Sequence, residues 1–207
     1  MQFESLIFDI DGTLWDSRAL VAEGYNIQLR AEGLERYCTD AEKLKPLFGK
    51  TTQYIADVMF PDLPEKERYA LIARCMAAEN VYLAQNECKI GYPKVKETME
   101  QLAKKHRLFI VSNSEKGYPQ LCVEKMGLQD LIEGHLCLGD TGTCKGETIK
   151  RLCSKHNITS ACYIGDIQGD LEAAEYAGMP FIHCAFGFGQ VERCWARIEA
   201  FEDLLTL

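Results

Sequence analysis

The sequence predicts an α/β fold, an open parallel sheet covered by helices on both faces, with a helical insertion early in the chain. Three observations carry that prediction. Short apolar runs at residues 108–111, 134–138, 161–164 and 180–184 alternate with segments of helical spacing from Gly91 onward, and such alternation argues for a parallel sheet. Residues 17–88 keep helical periodicity with no strand-like run, so they stand apart from the alternating segment that begins at Gly91. Finally, Asp9, Asp11, Ser112, Asn113 and Asp166 stand just beyond apolar runs, and open parallel sheets form their sites at the carboxyl ends of strands.

Taken in order, Leu6, Ile7 and Phe8 read as a buried strand that ends in Asp9-Ile10-Asp11-Gly12-Thr13. Asp16 or Ser17 can cap a helix carrying Leu20, Gly24, Ile27 and Ala31 at helical spacing, and Gly33 is placed to stop it. A second helical piece after Thr39-Asp40 is cut short by Pro46. Thr51 or Thr52 caps a helix over 54–60, and Pro61 and Pro64 mark a turn. Residues 65–87, with Tyr69, Ile72, Met76 and Leu83, predict one long helix. Pro93 opens a helix to His106, and further helices are expected to Gly127, over 146–156 and over 170–177, with the run at 180–184 as the last strand. The expected domains are a core of residues 1–16 and 91–207, and an insertion of residues 17–90.

Composition narrows the function. A chain of 207 residues, 47% apolar and 26% charged, can bury a sizeable core. Its formal charge of -8 weighs against nucleic acid or an anionic membrane as partner. An anionic substrate must then meet local positive charge or a metal. The ten cysteines form no C-x-x-C pair, and Cys75, Cys122, Cys137, Cys153, Cys162 and Cys184 fall in apolar segments, so zinc is not expected. The sequence opens on a strand rather than a signal segment, and no apolar run nears the roughly 20 residues that span a bilayer. The expectation is a cytoplasmic protein whose cysteines are small core residues.

Asp9 and Asp11 are the chemical centre of the chain. Residues two apart on a strand share a face, and a break at Gly12 lets both carboxylates converge on one reacting atom. One can act as a nucleophile or hard metal ligand while the other moves protons. A calcium loop would need glycine at its sixth position and glutamate at its twelfth; here glycine is fourth and Leu20 is twelfth. An ordinary turn is the other bland option, so partners elsewhere decide. Those partners are Ser112, Asn113, Lys145, Asp166 and Asp170. Carboxylates with one lysine suit a divalent ion with oxygen ligands, magnesium above all. Lys145 can also be a solvated helix-start lysine, Ser112 a strand-end cap, Asn113 a turn residue, and Asp170 a helix cap. Gly187-Phe188-Gly189 reads as a turn near the site.

The order Asp9-Ile10-Asp11-Gly12-Thr13, Ser112-Asn113, Lys145, then Gly165-Asp166 with Asp170 resembles the four motifs of the haloacid dehalogenase superfamily, in its phosphatase branch. The insertion resembles the mobile cap of phosphoglycolate phosphatase-like members. The resemblance implies a Rossmann-like, three-layer α/β/α core. It also implies a hydrolase acting on phosphoric monoesters, with Asp9 as nucleophile and Asp11 as acid and base. Mg2+ would be held by Asp9, the backbone carbonyl of Asp11, and Asp166. Ser112, Asn113 and Lys145 would bind the phosphoryl group, and Asp170 would support Lys145 or the metal. Lys50, in the insertion, would meet a leaving-group anion unless it is merely an exposed loop lysine. Departures from the motifs include Gly146 where many relatives have proline, and Trp15, large enough beside the turn to reshape the entrance.

The expected function is a magnesium-dependent phosphatase of a small phosphorylated metabolite, a phosphoglycolate-like acid or sugar phosphate, working through an aspartyl-phosphate. Its rivals are a sugar phosphomutase of the β-phosphoglucomutase type and a non-catalytic binding protein that keeps the fold.

Overall fold

The apolar run after Glu4 becomes the centre of the sheet. In the computed structural model, which describes residues 2–87 and 89–207, strand β1 (Ser5–Phe8) is followed by helices α1 (Arg18–Ala31), α2 (Ala41–Leu44), α3 (Thr52–Met59), α4 (Glu65–Gln85) and α5 (Val95–Leu102). Then come β2 (Arg107–Ser112), α6 (Tyr118–Met126), β3 (Ile132–Cys137), α7 (Leu138–Thr141), α8 (Lys145–His156), β4 (Ala161–Gly165), α9 (Gln168–Ala177), β5 (Phe181–Cys184) and β6 (Ala196–Ile198). The chain divides into two compact units, Met1–Asp16 with Ile90–Leu207, and Ser17–Lys89.

In the first unit the six strands run in the order β3-β2-β1-β4-β5-β6, and every neighbouring pair is parallel. Phe8 pairs with Ile110 on one side and Ile164 on the other, which brings the ends of β1, β2 and β4 level. Both faces of β1 are buried, hence its unbroken apolar run. Ile7, Phe109, Val111 and Tyr163 pack with Ile149, Leu152, Leu171 and Ala174 of α8 and α9. Phe8 points the other way and meets Phe201, ring centroids 5.9 Å apart, on a 3-10 segment (Phe201–Thr206) that packs with α5. Helical layers on both faces give the three-layer α/β/α core.

The regular elements among the described residues of the second unit are all helical. Gly33 closes α1 in a left-handed turn, its N–H bonding to the Arg30 carbonyl while the Leu34 N–H reaches Leu29. Asp40 caps α2 by accepting from the Glu42 and Lys43 amides, and Thr51 caps α3 through Tyr54 N–H. Asn26 and Thr39 exchange two hydrogen bonds of 2.8 Å. Helices α1 and α4 approach so closely that a side-chain carbon at Gly24 would lie 2.6 Å from the Glu79 Cα.

Several boundaries differ from those expected. The helix expected from Pro93 to His106 occupies Val95–Leu102, its later start set by Lys94, which is left-handed with φ 58° just before it. Leu138, expected in a strand, opens α7. The run at 180–184 is not the last strand, since β6 adds an edge beyond it. Three residues with only Ile198 buried carry too little periodicity to announce a strand.

Candidate active site

Asp9 follows β1 directly, and its N–H bonds to the Ile164 carbonyl of β4, so its backbone stands at the junction of the two central strands. Beyond it the chain turns tightly: the amides of Thr13, Leu14 and Trp15 all converge on the Ile10 carbonyl, and Gly12 N–H returns to Trp15 O. Gly12 has φ 84°, and a side chain there would collide with the Asp166 carboxylate. Glycine is therefore required twice over, for conformation and for space.

Lys145 is the first residue of α8 and is buried, whereas Lys150 and Lys155 of the same helix are exposed. The solvated-lysine reading is thereby excluded. Its ammonium donates to Asp9 Oδ1 and to Asp170 Oδ1, each at 2.7 Å. Asp170 uses its other oxygen to accept from the Asp166 and Ile167 amides, at 3.0 and 3.1 Å. It thus caps α9 and anchors Lys145 at once, so its two sequence readings describe one arrangement. The departure at Gly146 also finds its reason, since a side chain there would strike the Tyr176 ring.

Asp166 lies just beyond β4, buried, with Oδ2 accepting from Phe188 N–H at 2.6 Å. A side chain at Gly187 would run into Asp166 and the Gly12 carbonyl. The Gly187-Phe188-Gly189 turn is therefore a structural wall of the cluster, a role its sequence leaves unstated. His183 in β5 donates through Nε2 to the Asp166 carbonyl at 3.2 Å. Ser112 is buried at the end of β2, with Asn113 half-buried behind it. Lys50 is exposed on a bend of the second unit.

Asp9, Asp166 and Asp170 offer carboxylate oxygens within 4.8 Å of one another, a group able to hold a metal ion. Three buried carboxylates face a single ammonium. Burial raises Asp9 from its ordinary value to about 7 despite Lys145, with Asp170 and Asp11 adding to the rise. Asp166 is raised by burial first and then by Asp170 and Asp9. Lys145 is raised above its usual range because the attraction of Asp170 and Asp9 outweighs its burial. The surplus negative charge in a water-poor space fits a divalent cation with oxygen donors. Asp170 has both oxygens engaged, so Asp9 and Asp166 are the better-placed side-chain ligands.

Asp11, half-buried, is held differently. Its Oδ1 accepts from Trp15 Nε1 and from Tyr118 Oη, both at 2.8 Å. Trp15 is fully buried, so it does not reshape an entrance as its size suggests; it lies inside, against the Tyr118 ring. Neither Trp15 nor Tyr118 stands out as a site residue in sequence. An indole beside an acid pair is the one local signal, while Tyr118 comes from the start of α6.

With this geometry in view, the chain can be set beside known proteins. A family described as haloacid dehalogenase-like hydrolase matches residues 6–184. The chain belongs to that family. Among curated relatives, the phosphoglycolate phosphatase of Xanthomonas campestris pv. campestris is 27% identical over 89% of this chain and 84% of its own length. That of Aquifex aeolicus is 26% identical over 88% and 85%. In fold, a haloacid dehalogenase-like hydrolase from Streptococcus pneumoniae superimposes with a TM-score of 0.83 over 99% of this chain and 97% of its own, at 16% identity.

Proposed function

We propose that this hydrolase is a magnesium-dependent phosphatase that cleaves a small phosphorylated metabolite, a phosphoglycolate-like acid or a sugar phosphate, through an aspartyl-phosphate at Asp9. The observation that carries the reading is the buried cluster at the end of β1, where Lys145 joins Asp9 to Asp170 and Asp166 completes an oxygen-ligand group. Its likeness to phosphoglycolate phosphatases over most of its length supports the choice of ester.

In this mechanism a carboxylate oxygen of Asp9 bonds to phosphorus as the ester P–O bond breaks, and Asp11 gives its proton to the departing oxygen. Asp11 then takes a proton from water as that water attacks phosphorus and frees Asp9, so that covalent catalysis splits one hard displacement into two easier ones. Ser112, Asn113 and Lys145 hold the transferring phosphoryl oxygens, with Lys145 supplying fixed positive charge. Asp170 keeps Lys145 aimed. Asp9, the Asp11 carbonyl and Asp166 would hold the magnesium ion, which when bound neutralises charge on the phosphoryl oxygens. The unit Ser17–Lys89 is assigned the part of a cap that selects substrate, with Lys50 meeting a leaving-group anion. The acidic balance of the chain and a metabolite-sized ester fit a cytoplasmic enzyme without nucleic-acid or membrane partners.

Phosphate release from 2-phosphoglycolate, a panel of sugar phosphates and 4-nitrophenyl phosphate, with magnesium and with EDTA, is the direct test. Turnover is expected only with the metal, without a bisphosphate activator, and Asp9→Asn is expected to lower it about 10³-fold or more with the fold retained in circular dichroism. Turnover in EDTA, or an active Asp9→Asn, would remove this mechanism. In the same assay Lys50→Ala should raise KM for a carboxylated ester and leave 4-nitrophenyl phosphate unaffected.

A further inference from the structure

We infer that Trp15 and Tyr118 are positioning residues for Asp11, fixing which of its oxygens exchanges the proton with the leaving group; the inference rests on the function proposed above. A carboxylate oxygen has two lone pairs. On Asp11 Oδ1 both are met, one by the Trp15 indole N–H and one by the Tyr118 hydroxyl, each at 2.8 Å. A proton cannot occupy Oδ1 without displacing one of these donors. Proton exchange is therefore assigned to Oδ2, and the carboxylate plane is fixed by two directional bonds instead of by packing alone.

Both donors are themselves immobilised. Trp15 is fully buried and Tyr118 nearly so, and their rings meet edge to face at 5.7 Å and 75°. Trp15 bridges its own turn and the returning chain, pairing with Asp11 on one side and Gly91 on the other. Tyr118 is the first residue of α6, preceded by Gly117 with φ 92°, so the loop after β2 delivers the hydroxyl at a helix start. Two segments far apart in sequence thus converge on one oxygen. Such convergence suits a group that must be aimed, because misorientation of an acid by a fraction of an ångström lowers catalysis without altering binding.

The choice of leaving group separates the steps. An alkyl ester such as 2-phosphoglycolate needs a proton on its departing oxygen; 4-nitrophenolate leaves unassisted. The ratio kcat/KM reports events through departure of the leaving group. Tyr118→Phe keeps the ring and removes one donor, and it is expected to lower kcat/KM for 2-phosphoglycolate about tenfold while changing that for 4-nitrophenyl phosphate less than about twofold. Trp15→Phe should show the same selectivity, with its thermal melt recorded alongside because it leaves space in the core. In an Asp11→Asn background, Tyr118→Phe should have no further effect on kcat/KM, since it acts through Asp11. Equal losses on both esters, or losses that multiply with Asp11→Asn, would overturn the inference and leave the proposed function standing. Wild-type protein that hydrolyses neither ester would overturn both.

Discussion

Both units of the chain carry exposed ion pairs, but in the sheet unit one group of charges is buried. In the unit built on the sheet, Lys145, Asp9 and Asp170 are almost wholly withdrawn from water and joined at 2.7 Å. In the helical unit the ion pairs lie outside: Arg74 with Glu32, Arg30 with Glu23, Arg36 with Asp62. Exposed pairs contribute little to stability, whereas breaking a buried pair leaves an uncompensated charge and costs several kcal/mol. A fold therefore keeps buried ions only where the surrounding hydrogen bonds are complete, as they are around Asp170. The exposed pairs of the helical unit can be changed cheaply; the buried trio of the sheet unit cannot.

The strongest challenge to this contrast is Lys145→Met. Three buried carboxylates would lose their cation, and we expect a stability loss of about 3–5 kcal/mol in denaturant unfolding together with loss of turnover. Unchanged stability would mean that the cluster is not balanced by Lys145. Next comes packing in the helical unit. Gly24→Ala places a carbon against the Glu79 backbone, which should cost about 1–3 kcal/mol, read as an earlier unfolding of that unit; a neutral effect would show that α1 and α4 separate freely.

The smallest effect belongs to the exposed pair. Arg74 grips both oxygens of Glu32, at 2.6 and 2.7 Å, and with Gln28 lowers its pKa to about 2. A carboxyl held below its ordinary 4.5 stabilises the folded form above that value and loses the contribution as pH falls toward 2. Arg74→Ala should thus cost at most about 1 kcal/mol at pH 7, shrinking toward zero as Glu32 protonates. A loss that stays constant down to pH 2 would place the effect in packing and not in charge.

Much of this arrangement is legible in the sequence because each motif follows an apolar run, and the ends of parallel strands lie at one edge. Asp9, Ser112 and Asp166 are brought to that edge by β1, β2 and β4, and Lys145 by the start of α8. What escapes the sequence is carried by backbone and by tertiary proximity. The Phe188 amide that holds Asp166 belongs to a residue whose side chain says nothing of it. Trp15 reads as bulk at an entrance, because hydrophobic size does not reveal that its one polar side-chain atom has the half-buried Asp11 to serve. The strand β6 is too short and too exposed to register.

The pairing of β1 has a consequence for how the protein comes into being. Ser5 bonds alongside Arg107 and Ala161, so both flanks of this strand are supplied by segments made long after it. On the ribosome the whole of Ser17–Lys89 emerges while Leu6, Ile7 and Phe8 still lack neighbours. An apolar strand waiting for distant partners is open to wrong associations and to chaperones. Asp9, which follows it, acquires its setting only when Lys145, β4 and Asp170 arrive, so the buried cluster assembles late in synthesis.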